Sequence, residues 1–291
     1  MAQSLIAMIA PASADASPAQ RGALAALRDT PHALCLFELE PGSPALLGDL
    51  RNYLRQLRPG GVILLPPLAD RAEVTAACLE FTCNVVRLAS GPFEGPITTL
   101  CSNHRQAAAD ATNYLIAIGH QRIAFIAGPD GCHASRECEL GYIDALAAQG
   151  LDRGAELVAA SDGTFASGEA AANLLFEVSP RPTAILAASD ELAAGALHAA
   201  HELGIAVPGD LSIAGFGDSP VAARLWPQLT SVRLPDSEMG FAAAIELVGN
   251  AENPPQPVEF FGSLVLRAST GPVALYQTAL GVTHMGGFPV G

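Results

Sequence analysis

TAILAASDELAAGALHAAHELGIAVPGDLSIAGFGDSPVAARLWPQLTSV, residues 183–232, reads as two βα units running into a third strand without padding between them. Residues 183–188 suit a short buried strand. Ser189-Asp190 then supplies the N-cap of a helix with Leu192, Ala196, Ala200 and Leu203 along one face, and Gly204 ends it. Val207-Pro208-Gly209-Asp210 is a turn and residues 211–215 a second buried strand. Ser219-Pro220 is an N-cap followed by proline at the first helical position, where a missing N–H costs nothing. In a parallel sheet, Ser189-Asp190 and Phe216-Gly217-Asp218 both follow the carboxyl ends of strands, the edge at which open α/β sheets bind ligands.

Outward from this stretch the same alternation continues. Strands are expected at 5–10, 33–38, 61–65, 84–88 and 97–101, separated by helices at 19–28, 45–57 and 71–81, which makes one doubly wound unit. After a helix at 104–118, closed by Gly119, the pattern restarts: strand 122–127, helix 135–149 ended by Gly150, strand 157–161, helix 167–177, and then the quoted segment. A helix at 236–248, a proline-rich break at 253–257 and two short β runs at 258–261 and 263–267 follow, one run completing each sheet. The fold class is therefore α/β, with two similar parallel-sheet lobes. The chain crosses between them three times, near 119–121, 233–236 and 261–263, and such crossing places a ligand cleft between the lobes. One lobe takes 1–120 and 234–262, the other 121–233 and 263–291.

Composition narrows the function. The chain has 291 residues, half of them apolar, enough for one large or two ordinary domains. Lys and Arg total 15 against 29 acidic residues, a formal net charge of −14, so its own surface is not expected to grip nucleic acid, which rests on basic residues releasing phosphate counterions. No apolar run approaches the roughly 18 residues a membrane helix needs. Ala12-Ser13-Ala14 resembles a signal-peptidase site, but no Lys or Arg precedes it and cleavage there would remove the first strand, so the segment is read as mature structure and the protein as soluble and cytoplasmic. Cys35, Cys78, Cys83, Cys101, Cys132 and Cys138 include no CxxC, and free thiols are expected.

Enzyme signatures are missing as well. The sequence holds no GxSxG, no GxxxxGK[ST] and no HExxH, and Ala10-Pro11-Ala12-Ser13 after the first strand is unlike GxGxxG. No catalytic residue, cofactor or metal is assigned. His198 and His201 lie i, i+3 on a helix, a spacing that can share a metal, but no third ligand accompanies them and they are read as surface histidines. Cys132, His133 and Cys138 cluster only loosely. Trp226, the one tryptophan, is read as a packed, hinge-side aromatic.

Several runs resemble one family in order. Gly119-His120-Gln121-Arg122-Ile123-Ala124-Phe125-Ile126-Ala127-Gly128-Pro129, residues 204–213 (GIAVPGDLSI), Gly215-Phe216, Pro227-Gln228-Leu229-Thr230-Ser231-Val232, Met239-Gly240 and Leu266-Arg267-Ala268-Ser269 are similar to the effector-binding core of the lactose-repressor (LacI/GalR) family of bacterial transcription regulators. The resemblance runs from about residue 5 to 269. It implies a periplasmic-binding-protein-like fold of type I, a homodimer, and a small-molecule effector, a sugar or related metabolite, that alters operator affinity. Family members carry an N-terminal helix-turn-helix headpiece that this sequence lacks, so operator DNA is expected to be met only through a headpiece not in this chain. A solute-binding protein of a sugar transport system is the alternative, and it would require a secretion signal.

By the same resemblance the ligand set is Asp15, Ser17, Asn103, His104, Arg136, Cys138, Phe165, Ser189, Asp190, Phe216, Gly217, Asp218 and Asp236. Several of these depart from the family pattern. Asn103-His104 stands for an Asp-Asn pair, Cys138 for a recurrent Arg with Arg136 two residues earlier, Gly217 for an Asp with Asp218 next to it, Ser189 for a frequent Asn, and Gly163 for an aromatic with Phe165 two residues on. Losing the charged pair removes charge-assisted bonds of about 1.5–3 kcal/mol each. The departures imply an effector bulkier or less polar than a simple hexose, unless Arg136 and Asp218 restore the polarity. Ser189 and Asp190 can equally be helix-capping residues, and Asp218 can simply bond its own turn.

Overall fold

A computed structural model of the protein describes residues 4–12, 17–82, 84–91, 97–151, 153–249 and 258–273. Asp15, the proline-rich break at 253–257 and most of the tail after 271 lie outside the described residues. The chain divides into two compact units, 1–104 with 234–262 and 105–233 with 263–291.

The first unit is built on a six-stranded sheet of β1 (Leu5–Pro11), β2 (Ala33–Leu39), β3 (Gly61–Leu64), β4 (Val85–Ala89), β5 (Thr98–Ser102) and β11 (Val258–Phe260). Its strand order is β11-β5-β4-β3-β1-β2, and all the pairings are parallel. β1 shows why the sequence is apolar without alternation. Ile6, Met8 and Ala10 point into a cluster with helices α1 (Ser17–Leu27) and α8 (Asp236–Val248), while Ala7 and Ile9 join the opposite cluster with α2 (Leu46–Leu57) and α3 (Ala72–Leu79). A strand covered on both faces needs apolar residues at every position. α2 is amphipathic by contrast, burying Leu46, Leu50 and Leu54 at four-residue spacing.

The second unit repeats the plan with β6 (Ile123–Ile126), β7 (Val158–Ala159), β8 (Ala184–Ala187), β9 (Ser212–Gly217), β10 (Thr230–Arg233) and β12 (Ser263–Val265), ordered β12-β10-β9-β8-β6-β7. Among the described residues only the β10–β12 pairing is antiparallel. Helices α6 (Phe165–Glu177) and α7 (Asp190–Glu202) cover one face through Ala171, Leu175, Leu192, Ala196 and Ala200. Phe125 stacks on Tyr142 of α5 (His133–Ala148) with ring centroids 5.2 Å apart, and Tyr142 donates its hydroxyl to the Ile123 carbonyl at 2.8 Å.

Five expectations are corrected here. The first change of unit falls after His104 rather than at 120, because α4 (His104–Ala117) is tied to α5. A Cβ at Gly141 would come 2.0 Å from the Arg105 carbonyl oxygen, so only glycine permits this approach, and Arg105 Nε donates to Asp144 Oδ2 at 2.5 Å. No helix follows Ser219-Pro220. Residues 220–224 form turns, closed by Ala222 N–H to the Ser219 carbonyl and Arg224 N–H to the Val221 carbonyl, before the chain re-enters the sheet at β10. The expected strand at 157–161 shrinks to the two residues of β7, preceded by a 3₁₀ turn at Ala155–Leu157. Leu203 is the α7 C-cap and is 58 % exposed rather than on the buried face. Trp226 is 86 % exposed, not packed.

His120, from the Gly-His run, ties three segments of the second unit together. Its Nδ1 lies 2.9 Å from Thr183 Oγ1, and its Nε2 lies 3.0 Å from Ser212 Oγ and 3.1 Å from the Gly271 carbonyl. Burial pushes its pKa below the ordinary 6.5, so the folded protein holds it neutral while the unfolded chain protonates near 6.5. The stability it contributes is present above about pH 6.5 and is lost as pH falls toward its lowered folded value. Melting temperatures at pH 7.5 and 5.5 should therefore drop more for the native sequence than for His120→Gln, and equal drops would refute this account.

Candidate functional site at the carboxyl edges of the sheets

In the second unit, the residues after the carboxyl ends of β6, β8 and β9 are held by short polar bonds. Gly128 N–H donates to Ser135 Oγ at 2.7 Å, and Ser161 Oγ donates to the Ala127 carbonyl at 2.5 Å. Ser189 caps α7 as the sequence suggests, its hydroxyl accepting Leu192 N–H at 3.2 Å. Thr164 caps α6 in the same way through Ser167 N–H. Hydrogen bonds from Ser167 and Thr164 hold the Asp162 carboxyl down at about 2. Phe165 opens α6 half-buried, its ring 5.6 Å from that of His198 and tilted to it. His198 Nε2 sits 3.9 Å from Glu202, and among the described residues no three His, Cys, Asp or Glu side chains are grouped to hold a metal.

Asp190 is the centre of this edge. Its side chain turns inward: the residue is 2 % exposed, Oδ1 accepts the Ser231 hydroxyl of β10, and Oδ2 accepts Ser219 N–H at 2.6 Å. Burial pushes its pKa up from the carboxylate range, against the pull of those donors. A Cβ at Gly215 would lie 2.4 Å from Asp190 Oδ1, so the seat exists only because β9 has glycine there. Gly217 and Asp218 follow with φ of 120° and 46°, the left-handed region. Asp218 N–H donates to Ser231 Oγ at 2.9 Å, while its carboxylate, 6 % exposed, accepts Arg233 Nε at 2.7 Å and Arg267 Nη2. Asp218 therefore bonds beyond its own turn.

The proposed ligand residues separate clearly by placement. Ser189, Asp190, Phe216, Gly217 and Asp218 come together at this edge, although Phe216 is only 5 % exposed and its ring belongs to the core. Arg136 is exposed on α5. Cys138, two residues on, is 1 % exposed with its thiol pKa pushed far up by burial, so it is a core residue and presents nothing to a ligand. In the first unit, Asn103 and His104 follow the carboxyl end of β5. Asn103 N–H donates to the Phe260 carbonyl, and His104 is buried with Nδ1 3.0 Å from Ser102 Oγ. Ser17 and Asp236 are the first residues of α1 and α8, and Asp236 is half-buried. Ser231, Arg233 and Arg267 are absent from the expected ligand set, although Ser231 and Arg267 stand within the runs that carry the family resemblance.

Two α/β units, each on a six-stranded, mainly parallel sheet and traversed by a chain that changes unit three times, define the periplasmic-binding-protein-like class of type I. Residues 112–270 match the family model described as periplasmic binding protein-like domain. The chain is 37 % identical over 252 residues to the HTH-type transcriptional regulator AscG of Escherichia coli K12, covering 82 % of this chain and 74 % of AscG. A LacI family transcriptional regulator from Mycobacterium smegmatis superposes with a TM-score of 0.80 at 28 % identity, over 92 % of this chain and 99 % of that one. The CelR–cellobiose complex superposes at 0.81 and 28 % identity, over 91 % and 84 %. The chain belongs to the LacI family of transcriptional regulators and forms its periplasmic-binding-protein-like effector core. These relatives are transcriptional regulators, which does not favour the transport alternative. Among the described residues no helix is long and apolar enough to cross a membrane.

Proposed function

We propose that this core senses a small hydroxylated metabolite of the sugar class at the carboxyl edge of the second unit's sheet, and that occupancy alters operator affinity of the regulator. The observation that carries this reading is the edge of the second sheet, where Ser161, Ser189 and the Gly217–Asp218 turn gather short polar groups on rigid strand ends. The relative named as a cellobiose complex supports the same ligand class. With Cys138 in the core and Arg136 in solvent, the charged groups at this edge are Asp162, Asp190, Asp218, Arg233 and Arg267, with Asp218 already paired to both arginines. That favours a ligand read through hydroxyls and against one that depends on the family's usual arginine. At −14 the core itself has little attraction for duplex phosphate, so its effect on DNA is indirect.

A ligand bound only by the folded protein raises its melting point, by about 2.7 kcal/mol of stabilisation at a hundred times Kd. A thermal-shift screen against cellobiose, ribose, gluconate and adenosine is expected to give a rise with a hydroxylated sugar compound. A flat response to all sugars, with a rise for adenosine, would reassign the ligand class. We also propose that the core works as a homodimer. The support is the family to which the chain belongs, and Trp226, left 86 % exposed on the 220–227 turn, is the side chain on which it is tested. Light scattering should give twice the 29.8 kDa chain mass, and Trp226→Ser should lower it toward one.

A further inference from the structure

We propose that Asp190 is a positioning residue of the ligand edge, one that fixes the Gly217–Ser219 loop from beneath instead of touching the effector, and that Asp218 carries this fix to Arg233 and Arg267. The proposal deepens the sensing function and rests on it for its biological meaning.

The chemistry of Asp190 leaves it little else to do. Both carboxylate oxygens are engaged from inside the unit, one by the Ser231 hydroxyl and one by Ser219 N–H, and the side chain sits over the space left by Gly215. The loop it holds is an unusual one: two successive left-handed residues, the second of them not glycine. A single left-handed aspartate is tolerated, but it needs surrounding bonds to persist. Those bonds are Asp218 N–H to Ser231 Oγ and Ser219 N–H to Asp190 Oδ2, so one serine and one aspartate set both amides of the turn.

The other end of the same network meets the chain where it changes unit. Arg233, which donates to Asp218, is the last residue of the second unit before 234. Arg267 donates to Asp218 and to the Leu229 carbonyl at 2.7 Å, and it follows β12, the strand that begins as the chain returns at 263. A displacement of the 217–219 loop by a ligand is thus transmitted through one carboxylate to the segments beside two of the three crossings.

The test uses the ligand-free protein and residue-resolved amide exchange, so failure to find an effector leaves it unaffected. Ser231→Ala is expected to speed exchange of the Asp218 amide by about tenfold or more while the Ser219 amide, still bonded to Asp190, stays within about threefold of the native rate. Asp190→Ala should release both amides, with β6 and β8 unchanged. Asp190→Asn should rescue: turned so that Oδ1 accepts Ser219 N–H, its amide donates to Ser231 Oγ, and both rates return to within about threefold. Native rates at Asp218 in Ser231→Ala would overturn the proposal. So would exchange that rises equally throughout the unit in both alanine variants, or an asparagine variant no better than alanine. Should Asp190→Ala not fold, Ser231→Ala alone decides through the difference between the two neighbouring amides.

Discussion

Asp218→Asn is expected to lower stability by about 3 kcal/mol, because it removes the charge facing a guanidinium that has left most of its water. Asp218 is 6 % exposed and Arg267 14 %, so their pair lies where screening is weak, and the single uncharged amide oxygen of asparagine would have to serve two guanidinium groups, Arg267 and Arg233. Asparagine is the informative replacement. It tolerates the left-handed backbone at φ 46°, so strain is not added to the loss of charge. Arg233 provides the control within the same cluster. Its side chain is 60 % exposed, and Arg233→Ala should cost under about 1 kcal/mol despite the short distance to the same carboxylate. Denaturant unfolding of both variants settles the matter, since equal losses would mean that the Asp218–Arg267 pair carries no special weight.

Phe125→Ala is the second large effect, with about 3–5 kcal/mol lost. Phe125 is fully buried in β6 between strands β7 and β8, and its ring supports Tyr142, whose hydroxyl is committed to the backbone of the same strand. The cavity cannot be closed by moving Tyr142 without breaking that hydrogen bond, so relaxation is limited and the loss belongs toward the upper end of the range. At about 2–4 °C per kcal/mol the melting temperature should fall by roughly 6–20 °C. Leu203→Ala, a truncation of similar chemistry at a 58 % exposed position, should move it by less than about 2 °C. A small effect of Phe125→Ala would mean that the face of the second sheet covered by α5 packs loosely.

The order of strands and helices and the α/β class were legible because they follow from local pattern. A strand covered on both faces must be apolar throughout, as in 184–187, and a hydroxyl cap marks some helix starts, as at Ser189. The same logic misled at Ser219-Pro220. A cap and a first-turn proline permit a helix, but Asp190 and Ser231 take up the amides of the loop there, and the chain turns back to the sheet at once. The network was out of reach for the same reason. Asp190, Asp218, Ser231 and Arg267 lie as far as 77 residues apart along the chain, and no spacing rule links an aspartate at a helix start to a serine on a strand 41 residues away.

Sequence alone therefore determined most of the elements, their order and the family, since each depends on neighbours within a few residues or on runs of matched residues. Tertiary structure decided which polar groups face inward: Cys138 into the core, Asp190 onto β10, Asp218 onto two arginines, Trp226 into solvent. Side-chain direction is set by what the rest of the fold brings alongside, and a buried carboxylate takes the partner that satisfies it, wherever in the sequence that partner lies.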